Sequence, residues 1–294
     1  MKTIVVCGQT GVGKSDWSDK FAAKIVAEIV NIDMGQMYDR LSIGTAKPDM
    51  NQVSIKHHLY GCLKIPEDMN VVRYREKVKE TIESIHAENK KVVLVGGSMF
   101  YIEALFFELV PAIKHTGRSK DVAGRTWAEL HAIDPVRASQ IHPSDEYRIE
   151  RALSLWYSYG VLPSQCMPRY NPVVDDISII WLERCQKELR KRIDRRVDMM
   201  LEAGWVEEVL GLPDEWKQFV RRKKLCGYDI IANAETAELS HQQIDAIKKT
   251  TYAYAKRQRT SWKRLKKKLE ETVARDHITV IRIAENCEGL VDDI

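Results

Sequence analysis

"TIVVCGQTGVGKS", Thr3 to Ser15, decides the fold. Its first half is a β-branched apolar run ending at Gly8, the pattern of a strand buried on both faces. Its second half, Gly8, Gln9, Thr10, Gly11, Val12, Gly13, Lys14 and Ser15, fits G-x-x-x-x-G-K-[ST]. By residue frequencies alone, a chain of this length carries that pattern about once in a hundred. A helix is predicted from Lys14 to Ile25, where Trp17, Phe21 and Ala22 fall on one face. Strand, glycine-rich loop and helix in that order make a phosphate cradle. Gly11 and Gly13 tolerate unusual φ and put no side chain in the way, so the N–H groups of Thr10 to Ser15 can converge on one anion. The helix N-terminus adds partial positive charge, Lys14 a full charge, and the Ser15 hydroxyl a ligand for Mg²⁺. The loop specifies a diphosphate or polyphosphate without specifying a nucleotide.

Outward from the loop, strands are predicted at Glu28–Ile32, "KVVLVGG" (Lys91–Gly97), "DISIIWL" from Asp176 and "HITVIRI" from His277. Helices are predicted at Val71–His86, Ser98–Leu109, about Pro143 to Tyr159 with Gly160 as the stop, Gln186–Ala203, and Ser240 to about Thr272. Alternating strands and helices imply an α/β fold: a P-loop NTPase-like parallel sheet flanked by helices. After Pro111 the chain turns polar and loses its β-branched runs. The expected organisation is a core of residues 1–111 and 142–294 with a basic C-terminal helix, and a small helical insertion at 112–141.

The composition, 44% hydrophobic and 30% charged with a net charge of +4, is that of a globular protein and names no partner. The distribution of charge says more. Lys256 to Lys268 contains eight Lys or Arg and no acid, and Arg221 to Lys224 reads "RRKK". Each run is either a solvated helix face or a surface for a phosphate backbone. Six scattered cysteines without a CxxC pair suggest reduced thiols, not a disulfide frame or a zinc site. With no signal-like segment and no apolar run approaching 18 residues, a cytoplasmic protein with no membrane contact is expected.

"NIDMGQMY", Asn31 to Tyr38, places one carboxylate, Asp33, where the second strand ends. In a parallel sheet the C-terminal strand ends share one rim, so Asp33 is predicted to face the phosphate cradle. There it would hold Mg²⁺, hold a ribose hydroxyl, accept a proton from a nucleophile, or merely cap a turn. Ser98, behind Gly96 and Gly97, should reach the same rim. The third strand ends without the Mg²⁺-holding acid usual in a nucleotide hydrolase. "DVAG" at Asp121 has no strand before it and NKxD is absent, which argues against a GTPase. A P-loop small-molecule kinase or NTPase, ATP-binding, remains the alternative.

Eight blocks occur in order: "GQTGVGKS", "IDMGQMYDRLSIGTAKPD", "HHL", "VLVGGSMFY", "IHPSDEYRIERALSLW", "LRKRIDRRVDMMLEAGWVEEV", "CGY" and "YAKRQRTSW". Together they resemble the tRNA dimethylallyltransferases, also called tRNA isopentenylpyrophosphate transferases, over residues 4 to about 262. The resemblance implies transfer of a dimethylallyl group from its diphosphate to N6 of adenosine 37, the base 3′ of the anticodon. It implies that Gly8 to Ser15 cradle the diphosphate, aided by Mg²⁺ on Ser15. Asp33 matches the family's catalytic acid, which takes the proton from the adenine amine. Ser98 matches a threonine near the bridging oxygen. An arginine of the "RIxxR" block, Arg192 in preference to Arg196, would bind the diphosphate. Asp33, Met34, Gly35 and Gln36, and Tyr147, Arg148, Ile149, Glu150 and Arg151, match segments that contact tRNA. Lys256 and Arg257, with Tyr254 and Trp262 between the cations, would grip RNA phosphates and stack a base. The implied partners are the tRNA anticodon stem-loop and dimethylallyl diphosphate, for a chain expected to act as a monomer. The sequence departs from the family in Met34 for a small residue, in Ser98 for threonine, in Trp262 displaced by one, and in a shorter insertion, where Arg118 stands for the expected arginine.

Overall fold

The computed structural model describes residues 1–108, 126–166, 168–234, 236, 238–273 and 277–282. The chain divides into two units, Met1–Leu105 with Pro172–Ile294, and Phe106–Asn171.

The first unit is built on six strands: β1 (Thr3–Gly8), β2 (Ala27–Asn31), β3 (His57–His58), β4 (Lys91–Gly96), β7 (Ile177–Glu183) and β8 (Ile278–Arg282). They lie in the order β3-β2-β4-β1-β7-β8, and every described ladder is parallel. β1 and β2 are buried at every position, as strands covered on both faces must be. The covering helices are α1 (Lys14–Ile25), α3 (Val71–Ala87), α4 (Met99–Phe106), α8 (Gln186–Glu202) and α12 (His241–Glu270), with a short α2 (Met34–Met37). Phe21, Ala22, Leu189, Ile193 and Ala255 press helix faces onto Ile4, Val6, Ile29, Val93 and Ile180 of the sheet. Glu28, the one acid in a buried strand, is held by His58 at 2.6 Å and Lys90 at 2.6 Å. Pairing of this kind is what a buried carboxylate requires. Among the described residues no helix is long and apolar enough to cross a membrane, and Cys7, Cys62, Cys166, Cys185 and Cys226 are free.

Three short helices follow α8: α9 (Trp205–Leu210), α10 (Asp214–Lys223) and α11 (Tyr228–Ala232). Trp205 fills the space between two glycines: a Cβ on Gly44 would come within 2.1 Å of its indole ring, and one on Gly227 within 2.2 Å. Glu208 accepts from the N–H groups of Ser42 (2.9 Å) and Ile43 (2.8 Å) and from the Tyr228 hydroxyl (2.6 Å). "IGTAKP", "AGWVEEV" and "CGY" are therefore one tertiary joint that fixes the loop after α2. Gly44→Ala should destabilise the chain by about 1–3 kcal/mol through overpacking, read as a fall in the urea midpoint. An unchanged midpoint would mean that the ring moves aside.

The "RRKK" run belongs to structure. Arg222 and Lys223 clasp Asp68 at 2.8 and 2.6 Å, and Arg221 donates to the Ala232 carbonyl.

The second unit contains β5 (Phe107–Glu108) paired antiparallel with β6 (Arg169–Tyr170), and the helices α5 (Trp127–Ile133), α6 (Pro135–Ala138) and α7 (Glu146–Tyr159). Leu130, Ala138, Ile141, Ile149, Ala152 and Leu153 form its core. The buried Asp134 caps α6 and also accepts from the Ser164 N–H at 2.7 Å. The helix expected over Ser98–Leu109 stops at Phe106, because Phe107 and Glu108 are taken into the pairing with β6. Of the expected insertion, residues 112–125 with Arg118 lie outside the described residues, as does Leu109.

Candidate active site

The adjacency of β2, β4 and β1 decides the site, because their C-terminal ends carry Asp33, Gly97–Ser98 and the phosphate loop side by side. A cavity of about 580 Å³ opens there, lined by Thr10, Gly11, Gly13, Lys14 and Ser15 on one side and by Asp33, Gln36, Thr45 and Ala46 on another. Arg192, Arg195 and Arg196 of α8 and Tyr254 of α12 complete the wall. Asp33 and the glycine-rich loop thus face one space, as the strand arithmetic predicts.

The loop is shaped by its glycines where geometry demands it. Gly11 and Gly13 have φ of 78° and 104°, and a Cβ at Gly8 would come within 2.7 Å of the Leu182 carbonyl oxygen. Lys14 Nζ donates to the carbonyls of Gly8 (3.1 Å) and Gln9 (3.0 Å). Burial lowers its pKa to about 8, with the nearby Arg196 pushing the same way and Asp33 opposing. Arg192 Nε donates to the Gly11 carbonyl at 3.0 Å, which carries its guanidinium to the rim of the loop. Arg196 also has its pKa lowered by burial, against the pull of Asp33 and Asp16. Both arginines of the "RIxxR" block therefore border the cavity. The buried Arg184 donates to the Val12 carbonyl at 3.3 Å and pairs with Glu188.

Asp33 is the N-cap of α2. Its Oδ1 accepts from the Gly35 N–H at 3.1 Å, and its Oδ2 from the Gly97 N–H at 3.2 Å. The Ser98 hydroxyl stands 3.4 Å from Oδ1 and accepts from the Met34 N–H at 3.0 Å. Capping and functional readings of Asp33 are thus compatible: the bonds that cap the helix also fix the carboxylate in the cavity wall. Asn31 secures the turn from below, accepting from the Asp33 N–H at 2.9 Å and donating to the Asp33 carbonyl at 3.0 Å.

Gln36 spends both amide hydrogens on the carbonyls of Thr45 (3.0 Å) and Ala46 (2.9 Å). It presents its carbonyl oxygen alone, an acceptor and not the donor–acceptor pair that its side chain would otherwise offer.

One sequence reading on α12 is corrected. Trp262 is 4% exposed and stacks on Trp181 with ring centroids 4.8 Å apart, so it is core and cannot stack a base. Tyr254 lines the cavity, where burial and then the charge of Asp33 raise its hydroxyl pKa, with Ser98 and Gln258 as hydrogen-bond partners. Lys256, Arg257, Lys263 and Arg264 are exposed, with Arg257 5.8 Å over the Tyr254 ring. Lys266, Lys267 and Lys268 are paired with Glu270, Glu271 and Glu103.

On α7, Tyr147 is 73% exposed and Arg148 is exposed, whereas Ile149 is buried in the core of the second unit. The Ile149 side chain cannot meet a ligand because it occupies the inward face of the helix. Glu150 and Arg151 are half-buried.

Sequence reasoning missed Gln9 and Gln258 as buried polar connectors. Gln9 donates to the Ala255 carbonyl at 3.0 Å. Gln258 joins the Thr10 N–H (2.8 Å) to the Gly97 carbonyl (2.8 Å). The one signal was spacing: Gln258 falls four residues after Tyr254 and four before Trp262, on the inward face of a helix.

A family model described as IPP transferase matches residues 36–266. A protein of Citrifermentans bemidjiense named tRNA dimethylallyltransferase 1 is 35% identical over 272 residues, 88% of each chain. Among solved structures, a eukaryotic dimethylallyltransferase described as acting on tRNA superposes with a TM-score of 0.69 at 25% identity, over 97% of this chain and 75% of that one. A tRNA isopentenylpyrophosphate transferase from Bacillus halodurans gives 0.62 at 27% identity, over 96% and 89%.

Proposed function

The chain belongs to the IPP transferase family, that of the tRNA dimethylallyltransferases, and from this premise we propose that it transfers the dimethylallyl group of dimethylallyl diphosphate to N6 of adenosine 37 in tRNA. The observation that carries this reading is the shared cavity, with a diphosphate cradle on one wall and a fixed carboxylate on the other. In the reaction, the adenine N6 attacks the allylic carbon and the C–N bond forms. The C–O bond to the diphosphate breaks, and its electron pair leaves with the diphosphate. The N6 proton passes to Asp33.

Lys14 and the loop N–H groups stabilise charge as it develops on the leaving group, and Arg192 and Arg196 border the same anion. Ser98, beside both Asp33 and the start of α2, would orient the base and the bridging oxygen. Gln36 offers an acceptor to an amino group, which suits adenine and not a 6-oxo purine. The target base must leave its stack to enter such a cavity.

Mg²⁺ fits this site through oxygen donors. Ser15 is exposed on the cavity wall, and no cluster of three acidic, His or Cys side chains stands ready among the described residues. The hydroxyl would therefore supply one ligand and the diphosphate others, as is usual for this ion. When bound, Mg²⁺ supplies neutralisation of leaving-group charge.

The deciding experiment is mass spectrometry of tRNA nucleosides after incubation with dimethylallyl diphosphate and Mg²⁺. Isopentenylated adenosine is expected; ATP consumption without base modification would overturn the reading. For the RNA-facing surface, replacing Lys256, Arg257, Lys263 and Arg264 by Gln should flatten the salt dependence of tRNA binding. The slope of log K on log salt should become shallower by about 1 for each phosphate that these side chains no longer neutralise. Replacing the acid-paired Lys266, Lys267 and Lys268 should leave the slope nearly unchanged. The opposite ranking would move the interface to the end of the helix.

A further inference from the structure

Gln258 closes a circuit that neither proton transfer to Asp33 nor binding of the diphosphate uses. Its side chain is buried, 3% exposed, and lies between the phosphate loop and the end of β4. Oε1 accepts from the Thr10 N–H and Nε2 donates to the Gly97 carbonyl, both at 2.8 Å. The two bonds run in opposite senses. They require a donor and an acceptor on one side chain, which a primary carboxamide supplies. The fit is close: a Cβ at Gly97 would stand 2.5 Å from Nε2, so glycine there lets the amide approach. Gly97 in turn gives its own N–H to Asp33 Oδ2 at 3.2 Å. A continuous path therefore runs from Thr10 of the cradle through Gln258 and Gly97 to the carboxylate. Gln9, bonded to the Ala255 carbonyl, fastens the same loop to the same helix one turn earlier.

We propose that Gln258 is a positioning residue that sets the span between the diphosphate cradle and the Asp33 base. In-line displacement needs the allylic carbon between the leaving oxygen and the attacking nitrogen, and misplacement by about 1 Å can cost on the order of 10²-fold in rate. The ladder between β1 and β4 ends at Cys7 and Gly96, so beyond it the spacing of Thr10 and Gly97 is left to a side-chain strut. A buried amide bonded at both ends is such a strut. It touches neither the reacting atoms nor the anion, and it takes the Thr10 N–H out of anion binding. This inference rests on the proposed prenyl transfer, while the strut itself is visible without it.

The test uses the full chain with Gln258→Met, which keeps the volume and removes both bonds together with the contact to the Tyr254 hydroxyl, and Gln258→Glu, which keeps the acceptor for Thr10 and sets a carboxylate against the Gly97 carbonyl. The expected result for Gln258→Met is a fall of about 10²-fold in kcat at saturating substrates. The dissociation constants for inorganic diphosphate and for tRNA, measured separately, should stay within about threefold of the parental values. Exchange of the Thr10 amide, followed by NMR without tRNA, should accelerate in Gln258→Met and stay protected in Gln258→Glu, whose kcat also falls. Should Gln258→Met not fold, the Glu variant decides by the same split. An active parent with a variant at parental kcat, or with diphosphate binding and rate lost together, overturns the positioning role. A parent inactive on tRNA overturns the reaction reading first, and this inference with it.

Discussion

Asp33→Asn should lower kcat for prenyl transfer by roughly 10²–10⁴-fold, the range for loss of a positioned general base. The donor KM and tRNA affinity should remain near parental. The amide replacement separates two jobs that alanine would confound. Asp33 caps α2 through the Gly35 N–H at 3.1 Å, and Asn is as good an N-cap as Asp. The cap and the turn built on Asn31 therefore survive, while the proton acceptor and the bond from the Gly97 N–H are lost. Asp33→Ala should show the same kinetic loss plus about 1 kcal/mol of destabilisation from the missing cap. Rapid-quench turnover with labelled donor, alongside thermal melts, separates the two contributions. Parental turnover by Asp33→Asn would remove Asp33 from proton transfer and leave it a purely structural cap.

What the sequence made legible follows from where its information is local. The run Thr3–Gly8, the glycines of the loop and the face of Trp17, Phe21 and Ala22 specify strand, cradle and helix within 25 residues, and helix α1 begins and ends where the spacing predicts. Asp33 was legible because parallel strand ends converge on one rim, which needs no knowledge of distant contacts. The stretch from Trp205 to Ala232 was not legible. Its three helices are 5 to 10 residues long, too short for a 3.6-residue period to accumulate, and they are held by the Gly44–Trp205–Gly227 sandwich across 183 positions of sequence. Trp262 misled for a related reason. A tryptophan among lysines resembles an RNA-stacking residue, and only the partner Trp181, from a strand 81 positions earlier, identifies it as core. Gln36 shows a finer limit: its side chain advertises a donor and an acceptor, and the loop carbonyls of Thr45 and Ala46 decide which one remains.

Lys14 connects the electrostatics of the cavity to a second large effect. In the free protein its ammonium is half-buried, close to Arg196 and Asp33, and donates to the carbonyls of Gly8 and Gln9. Its pKa of about 8 means that the charged form, though still the main one at pH 7, is less favoured than in an exposed lysine before the anion arrives. A diphosphate reverses this by supplying the missing counter-charge, so binding favours the protonated lysine. Below about pH 8 the lysine is already charged, and donor affinity is flat in this group. Above it, each pH unit should weaken donor binding about tenfold, since the proton must be taken up from a scarcer pool. A plot of log kcat/KM for dimethylallyl diphosphate should therefore break downward near pH 8, the free-protein value. Lys14→Arg should abolish that break, because a guanidinium stays charged throughout the range. Lys14→Ala should lower kcat/KM by roughly 10²–10³-fold at pH 7, the scale for losing one preorganised donor to a developing oxyanion. A flat profile through pH 9.5 in the parent, or a broken one in Lys14→Arg, would place the titrating group elsewhere and take Lys14 off the leaving group. A break common to parent and Lys14→Arg would point to a group other than Lys14, and not to Tyr254, whose hydroxyl is pushed well above that range; the charge that meets the diphosphate would then come chiefly from Arg192 and Arg196 of α8.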